Sequence, residues 1–208
     1  MDLLKLPEYG PIIPVIVVEQ LEHAVPLAQA LVAGGLRVLE VTLRSAVALE
    51  AIRAMAEAVP EAIVGAGTLR TAADARAAKA AGAQFAVSPG FTPELSAACR
   101  DIGLPLLPGV STASEVMQAN DHGHRFLKLF PATAVGGVAM LKGLAGPFPD
   151  VVFCPTGGIT PETAPQFLAL SNVKVCGGSW LCPKDALARG DWAAITRLAQ
   201  AASQLRAA

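Results

Sequence analysis

The chain lacks several features that mark whole classes of protein. Its 208 residues carry a formal net charge of only −1, so no surplus of one sign attracts nucleic acid or anionic lipid. The longest apolar run, 12–18, is interrupted by Pro14 and is far shorter than the roughly 20 residues that a membrane-spanning helix needs. The sequence therefore predicts neither a nucleic-acid partner nor a membrane span.

Cysteine and histidine are too few and too scattered to predict a metal site. The four cysteines include no Cys-x-x-Cys pair, and no histidines stand at metal-ligand spacing from them. His122 and His124 precede a predicted strand and have no carboxylate cluster beside them. The N-terminal residues also lack the pattern of a secretory signal. We expect reduced thiols, no metal, no cofactor and a cytoplasmic location.

A regular alternation of strand and helix patterns fills the chain. Short apolar, β-branched runs alternate with Ala- and Leu-rich stretches of helical period, which is typical of βα units and a parallel sheet. Four threonines, Thr71, Thr92, Thr112 and Thr160, carry the capping chemistry that predicts helix starts. Strands are predicted at eight places: 12–18, 36–41, 61–66, 84–88, 104–108, 125–130, 151–155 and 173–177.

Eight units in 208 residues leave 26 residues for each, enough for a strand, a helix and short loops. No linker or low-complexity tract divides the chain, so a single domain over 1–208 is predicted. Eight parallel strands, each followed by a helix, predict a compact α/β fold of the (β/α)8 TIM-barrel type, with catalytic groups at the carboxyl ends of the strands. An open doubly wound sheet is the alternative, but 17–20 has no glycine fingerprint after the first strand.

Two charged residues occupy predicted strand faces that should be apolar. Glu40 shares a face with Val38, and burial there suits a carboxyl group that transfers protons. Lys128 shares a face with Phe126 and Phe130, where desolvation favours the neutral amine that attacks a carbonyl. The plainer alternatives are a structural Glu-Arg pair and a lysine that extends from the strand end to water.

Two other lysines compete for the role of nucleophile. Lys142 lies in a helical stretch, and Lys174 alternates with valines on the eighth predicted strand. Both are predicted to face solvent or helices rather than the site.

Further candidate residues follow the strands at the end where a barrel site forms. Arg44 offers a planar fork that suits a carboxylate, and Thr68 adds a hydroxyl and an N–H after two glycines. Gly-Gly pairs at 157–158 and 177–178 follow the seventh and eighth strands, where phosphate is commonly held in this fold. A solvated arginine and tight βα turns are the alternatives.

The order and spacing of these motifs resemble the 2-keto-3-deoxy-6-phosphogluconate aldolase family, class I aldolases that also act on 4-hydroxy-2-oxoglutarate. The resemblance covers nearly the whole chain, and its most specific motifs are LKLFPA at 127–132, FCPTGGI at 153–159 and GGSWL at 177–181. It implies a homotrimeric barrel in which Lys128 forms a Schiff base and Glu40 shuttles protons. It implies these substrate-binding residues: Arg44 and Thr68 for the pyruvoyl carboxylate, Phe130 and Pro89 along the pocket, and Thr156, Gly157, Gly158, Gly178 and Ser179 at the far end.

The reaction implied by the resemblance is a retro-aldol cleavage of a small keto acid. Lys128 attacks the C2 ketone, Glu40 removes the C4 hydroxyl proton, and the C3–C4 bond breaks to release glyceraldehyde 3-phosphate and then pyruvate. With 4-hydroxy-2-oxoglutarate the aldehyde product is glyoxylate. Two alternatives stay open: a barrel isomerase or epimerase with Glu40 as enediol base, and a non-catalytic sugar-phosphate binding protein.

Overall fold

The structure is a computed structural model that describes residues 2–205. The predicted domain, 1–208, includes Met1 and residues 206–208, which lie outside that range. The described residues form nine strands, all paired in parallel. They are β1 Ile12–Ile16, β2 Val38–Thr42, β3 Ile63–Gly67, β4 Phe85–Val87, β5 Leu106–Leu107, β6 Gly109–Val110, β7 Phe126–Leu129, β8 Val152–Pro155 and β9 Cys176–Gly178.

Helices separate most of the consecutive strands. They are α1 Ala24–Ala33, α2 Ala48–Ala58, α3 Ala72–Ala80, α4 Pro93–Asp101, α5 Ala113–Asp121, α6 Gly137–Ala145, α7 Ala164–Leu168, α8 Lys184–Arg189 and α9 Trp192–Ser203. Short 3-10 helices occupy Leu3–Tyr9 and Leu21–His23. None of these helices in 2–205 is long and apolar enough to span a membrane.

The strands form two parallel sheets. One has the order β5-β4-β3-β2-β1-β9, and the other has the order β6-β7-β8. The α/β class predicted from the strand and helix periods is therefore confirmed. The sheets adjoin at two places: Pro108 alone separates β5 from β6, and isolated parallel bridges join Phe153 to Val173 and Thr156 to Gly177.

Three local predictions are wrong in detail. The fifth strand, predicted at 104–108, is split into β5 and β6, because Pro108 has no N–H with which to continue a ladder. The eighth strand begins at Cys176 rather than at residue 173. Thr160 does not cap a helix: its N–H donates to Thr163 Oγ1 in a turn, and α7 begins only after Thr163.

The other predicted caps are confirmed. Thr71 and Thr112 form capping boxes with Asp74 and Glu115, and the Thr92 side chain accepts a hydrogen bond from the N–H of Leu95. These caps satisfy amide groups that a helix start leaves without partners, so they fix where α3, α4 and α5 begin.

Two apolar clusters fill the protein. The larger lies between strands and helices and contains outward-facing strand residues such as Leu39 and Leu127. The smaller, called the inner cluster below, draws on both sheets. Its members are Leu6, Ile13, Val38, Phe85, Val87, Leu107, Phe126, Cys154 and Val175. The alternation of side chains along each strand therefore separates an inner face from a helix-covered face.

Candidate active site

Lys128 and Glu40 meet on the inner face of the strands. Each stands two residues beyond a member of the inner cluster, Phe126 and Val38 respectively, so both lie one layer nearer the carboxyl ends. Lys128 Nζ donates a hydrogen bond to Glu40 Oε1 at 3.1 Å, and the two side chains are only 6% and 4% exposed. The Phe130 ring centroid lies 5.1 Å from Nζ.

Burial means that this ion pair contributes little net stability to the fold. Taking an ammonium and a carboxylate out of water costs several kcal/mol for each ion, and a pair of apolar side chains often stabilises such a position equally well. A buried pair of titratable groups near strand ends is instead typical of a site that moves protons. The Glu-Arg alternative does not hold, because Lys128 is the partner of Glu40.

Gly67 creates the space that the Glu40 carboxylate occupies. A Cβ at position 67 would lie 2.3 Å from Glu40 Oε1 and 2.7 Å from Glu40 Cγ. Gly65, on the same face of β3, has the same relation to Phe85, whose ring would lie 2.3 Å from an added Cβ. The two glycines of β3 therefore admit one apolar ring and one carboxylate.

Cys154 lies beside the pair. It is in register with Lys128 on the neighbouring strand, and it belongs to the inner cluster. Burial raises the pKa of its thiol to about 12, although the nearby Lys128 charge opposes the rise. The thiol is thus neutral near pH 7, and Lys128 has no thiolate competitor at this point of the site.

Thr68 and Arg44 lie at the strand ends near this pair. Thr68 has φ +64, a left-handed conformation that is strained for a β-branched residue by roughly 1–3 kcal/mol. Arg44 is exposed, and its Nε donates to Thr42 Oγ1 at 3.1 Å. Among residues 2–205 no carboxylate pairs with Arg44. Its terminal nitrogens therefore remain available to a bound carboxylate.

The glycine loops after β8 and β9 pack closely against their surroundings. Gly157 and Gly158 have φ of +102 and +76, and a Cβ at 158 would lie 2.0 Å from Thr133 Oγ1. Gly178 is buried, and a Cβ there would lie 2.2 Å from the Trp180 ring. Only glycine fits these conformations and contacts, which leaves backbone N–H groups close to the mouth of the site.

Three other predicted binding residues differ from one another in burial and in their place along the strand ends. Thr156 is buried and its hydroxyl lies 3.8 Å from Cys154 Sγ, so it is beside the Lys128 layer rather than at a far end. Pro89 is half-buried, and its carbonyl oxygen would lie 2.3 Å from a Cβ at Gly109. Ser179 is exposed, directly after β9.

A cavity of about 500 Å³ adjoins the site. It touches Arg44 and Ser179, two of the predicted binding residues, but neither Lys128 nor Glu40 lines it. Its wall comes mainly from the segment after β1 and the start of α8. The predicted binding set is therefore divided between the mouth of the inner face and this side cavity.

The lysines and histidines that the sequence did not favour as site residues lie away from Lys128 and Glu40. Lys142, on α6, and Lys174, before β9, are both exposed. His122 and His124 precede β7 and line a second cavity, of about 620 Å³, with residues from the amino ends of the strands. Within 2–205 no group of three or more His, Cys, Asp or Glu side chains is arranged to hold a metal ion.

The contacts of three residues at the site were not predicted from the sequence: those of Gly67, Cys154 and Thr133. Gly67 and Cys154 act through contacts across neighbouring strands, and such contacts depend on register. The two-residue alternation of Gly65 with Gly67, and of Cys154 with Thr156, is a signal that places each pair on one face. Thr133 donates through Oγ1 to Gly157 O at 3.2 Å, a contact with no local sequence signal.

A parallel α/β scaffold with a buried lysine and glutamate at its strand ends is the arrangement of an imine-forming lyase. The model of the aldolase family "KDPG and KHG aldolase" matches residues 5–198, and the chain belongs to this family.

Individual relatives agree with this assignment. The chain is 56% identical over 193 residues to "KHG/KDPG aldolase" of Escherichia coli K12, covering 93% of this chain and 91% of the relative. A crystal structure of KDPG aldolase from Legionella pneumophila, with pyruvate captured as a covalent carbinolamine, has a TM-score of 0.93 and 46% identity over 96% and 97% of the two chains. The Zymomonas mobilis aldolase with 3-phosphoglycerate has a TM-score of 0.94 and 46% identity, covering 100% and 97%.

Proposed function

We propose that this protein is a class I aldolase that cleaves 2-dehydro-3-deoxy-6-phosphogluconate to pyruvate and glyceraldehyde 3-phosphate. The observation that carries the proposal is the buried contact of 3.1 Å between Lys128 Nζ and Glu40 Oε1. It supplies a nucleophilic amine and a proton carrier within hydrogen-bond reach of each other. Membership of the family and the carbinolamine seen in the Legionella relative support the same chemistry.

The two side chains divide the first half of the reaction between them. Glu40 takes up the proton that the Lys128 ammonium gives up, and the free amine attacks the C2 ketone of the substrate. Glu40 returns this proton as the carbinolamine loses water, and a protonated imine remains on Lys128. The cationic imine now attracts electrons from the adjacent carbon–carbon bond.

The second half of the reaction uses the same groups again. Glu40, directly or through a water, removes the C4 hydroxyl proton, and the C3–C4 bond breaks as its electrons enter the imine to form an enamine. The aldehyde product leaves, Glu40 returns its proton to C3, and hydrolysis of the imine releases pyruvate. Because Gly67 has no side chain, the Glu40 carboxyl group has room on the inner face for these transfers.

The ends of the substrate are held by different parts of the strand-end loops. Arg44 and Thr68 bind the pyruvoyl carboxylate, since Arg44 has terminal nitrogens to spare and Thr68 stands directly after Gly67. Phe130 and Pro89 line the pocket. The distal phosphate lies against the loops that contain Gly157, Gly158, Gly178 and Ser179, while the buried Thr156 borders the imine layer.

We also propose that the enzyme cleaves 4-hydroxy-2-oxoglutarate to pyruvate and glyoxylate. This substrate has the same keto-acid head, and a carboxylate replaces the phosphate-bearing tail. The Escherichia coli relative carries both activities in its name, which supports this second substrate.

We further propose that the two sheets close into one (β/α)8 barrel that makes up a single domain. The short separation of β5 and β6 and the bridges between Phe153 and Val173 and between Thr156 and Gly177 support closure. We propose a cytoplasmic homotrimer; the four free cysteines suit a reducing compartment, and the resemblance to the family supports the trimer. Light scattering should then give three times the chain mass of 21.3 kDa.

A cleavage assay tests the function. Pyruvate release from the phosphorylated sugar acid is followed with lactate dehydrogenase for the wild type, Lys128→Ala and Glu40→Gln. Lys128→Ala should abolish release, because no other amine lies on the inner face in the described part of the chain. An isomerase or a binding protein would release no pyruvate in any form, and only a partial loss in Lys128→Ala would mean that Lys128 is not the imine-forming residue. Either result would overturn the proposal.

A further inference from the structure

The side cavity next to Ser179 contains a cation that the reaction described above does not use. Its charged lining residues are Glu19, Arg44 and Lys184, and His23 lies among them. Arg44 is engaged by the pyruvoyl carboxylate in the proposed reaction. Lys184 is therefore the cation that remains, among the residues lining this cavity, for the other end of the substrate.

Interactions within α8 do not stabilise the charge of Lys184. It is the first residue of α8, where the helix dipole disfavours a positive charge. The adjacent Asp185 pairs with Arg189 at 3.3 Å, and no ion pair links Lys184 to a carboxylate within 2–205. The lysine thus stands exposed, at some electrostatic cost, on the wall of a cavity that also contains Ser179.

The cavity borders the strand ends that hold the substrate in the proposed reaction. Val15 lines it and lies on the same face of β1 as Ile13, which belongs to the inner cluster, and Val17 follows just beyond the end of β1. Ser179 directly follows Gly178, the buried glycine of the loop after β9. An anion that rests on this loop therefore lies at the border between the inner face and the cavity.

We infer that Lys184 is a specificity-determining residue, which makes the enzyme prefer a substrate with a distal phosphate to one with a distal carboxylate. The inference rests on the proposed function. A phosphate monoester carries close to two negative charges near neutral pH, whereas a carboxylate carries one. Each nearby cation therefore stabilises the bound phosphate about twice as much in free energy.

Glu19 acts in the opposite direction. Its carboxylate lines the same cavity, and it repels a dianion more strongly than a monoanion. The balance between Lys184 and Glu19 sets the ratio of kcat/KM for the phosphorylated sugar acid to kcat/KM for 4-hydroxy-2-oxoglutarate. Substitutions at the two positions should move this ratio in opposite directions.

The test measures kcat/KM for both substrates in the wild type, Lys184→Gln, Lys184→Arg and Glu19→Gln. Loss of a charge-assisted contact worth about 1.4 kcal/mol lowers kcat/KM for the phosphorylated substrate about 10-fold. The carboxylate substrate should lose about 3-fold, since it carries half the charge. Lys184→Arg should keep the wild-type ratio, and Glu19→Gln should raise it about 2-fold. All these effects should shrink at high ionic strength.

Lys142→Gln is the matched control, since Lys142 is also an exposed helix lysine but lies on α6, away from the cavity. It should leave both kcat/KM values unchanged. The inference is overturned if Lys184→Gln changes both substrates equally, or changes neither, in an enzyme that cleaves both. Failure of the proposed function looks different, because the wild type would then cleave neither substrate.

Discussion

The Glu40 carboxylate lies where it does because Gly67 has no side chain. The contact that an added Cβ would make with Oε1, at 2.3 Å, is far inside van der Waals distance. Gly67→Ala should therefore push the carboxylate away from Lys128. Cleavage should fall at least about 100-fold, the usual contribution of a positioned acid or base, and imine formation with pyruvate should slow as well, because Glu40 serves both steps. Steady-state kinetics and borohydride trapping measure the two quantities separately.

Gly65→Ala is the control for this variant. It makes the same change on the same strand, but the added Cβ would meet the Phe85 ring instead of Glu40. It should lower the free energy of unfolding, but it should not lower the rate of cleavage as Gly67→Ala does. If both glycine variants lower cleavage and trapping equally, Gly67 has only a packing role.

His124 should make the fold sensitive to acid. Burial, with the nearby charges of Arg100 and His122, lowers its pKa from 6.5, and its Nε2 lies 2.8 Å from Ser96 Oγ. Between the lowered pKa and 6.5 the unfolded chain then binds more protons than the folded chain, so stability should fall as the pH falls through this range. Urea midpoints measured from neutral to mildly acidic pH should drop less in His124→Gln. An unchanged pH profile in that variant would exclude His124 as a source of acid sensitivity.

Side-chain alternation was sufficient to predict which strand faces carry Glu40 and Lys128. It could not predict that they touch, since β2 and β7 belong to different sheets and their separation depends on the whole fold. The contacts of Gly67 and Cys154 depend on strand register, which alternation leaves open. The predicted roles of the substrate-binding residues remain predictions.

The starts of α3, α4 and α5 follow from local chemistry. In each, a threonine accepts an N–H hydrogen bond from the first turn, and two of them carry the reciprocal acidic residue. Such caps need no tertiary partner, so the sequence alone predicts them. Thr160 does not cap α7: its Oγ1 lies 3.3 Å from Thr163 Oγ1, its N–H donates to that same oxygen, and the chain makes one more turn before α7.

Thr112→Ala should show how much one such cap stabilises the protein. The Thr112 hydroxyl accepts from the Glu115 N–H at 3.3 Å, and the Glu115 carboxylate accepts in return from the Thr112 N–H at 3.1 Å. Loss of the hydroxyl should lower the free energy of unfolding by about 1 kcal/mol, with kcat unchanged. Urea unfolding measures the loss. Ser114→Ala, an exposed change in the same turn, should cost less; an equal cost would mean that the cap contributes nothing specific.

The site is divided into an apolar layer, a reacting pair and surrounding loops because the two sheets share one inner face. The inner cluster fills the amino-terminal part of the shared inner face, with Leu6 of the first 3-10 helix among its members. The reacting pair lies one layer beyond it, and the loops after β2, β3, β8 and β9 carry the residues that we propose for the two ends of the substrate. Composition and period predicted the α/β class, but the side cavity beside Ser179 is formed where the segment after β1 meets α8, which no motif encodes.

The most direct test of the whole account is to incubate the protein with pyruvate, reduce with borohydride and map the modified peptides. We expect a reduced pyruvyl adduct on Lys128 in the wild type and no adduct in Lys128→Ala, since the exposed Lys142 and Lys174 lie outside the site. An adduct on either of those lysines, or no adduct on any lysine, would contradict the assignment of Lys128 as the imine-forming residue.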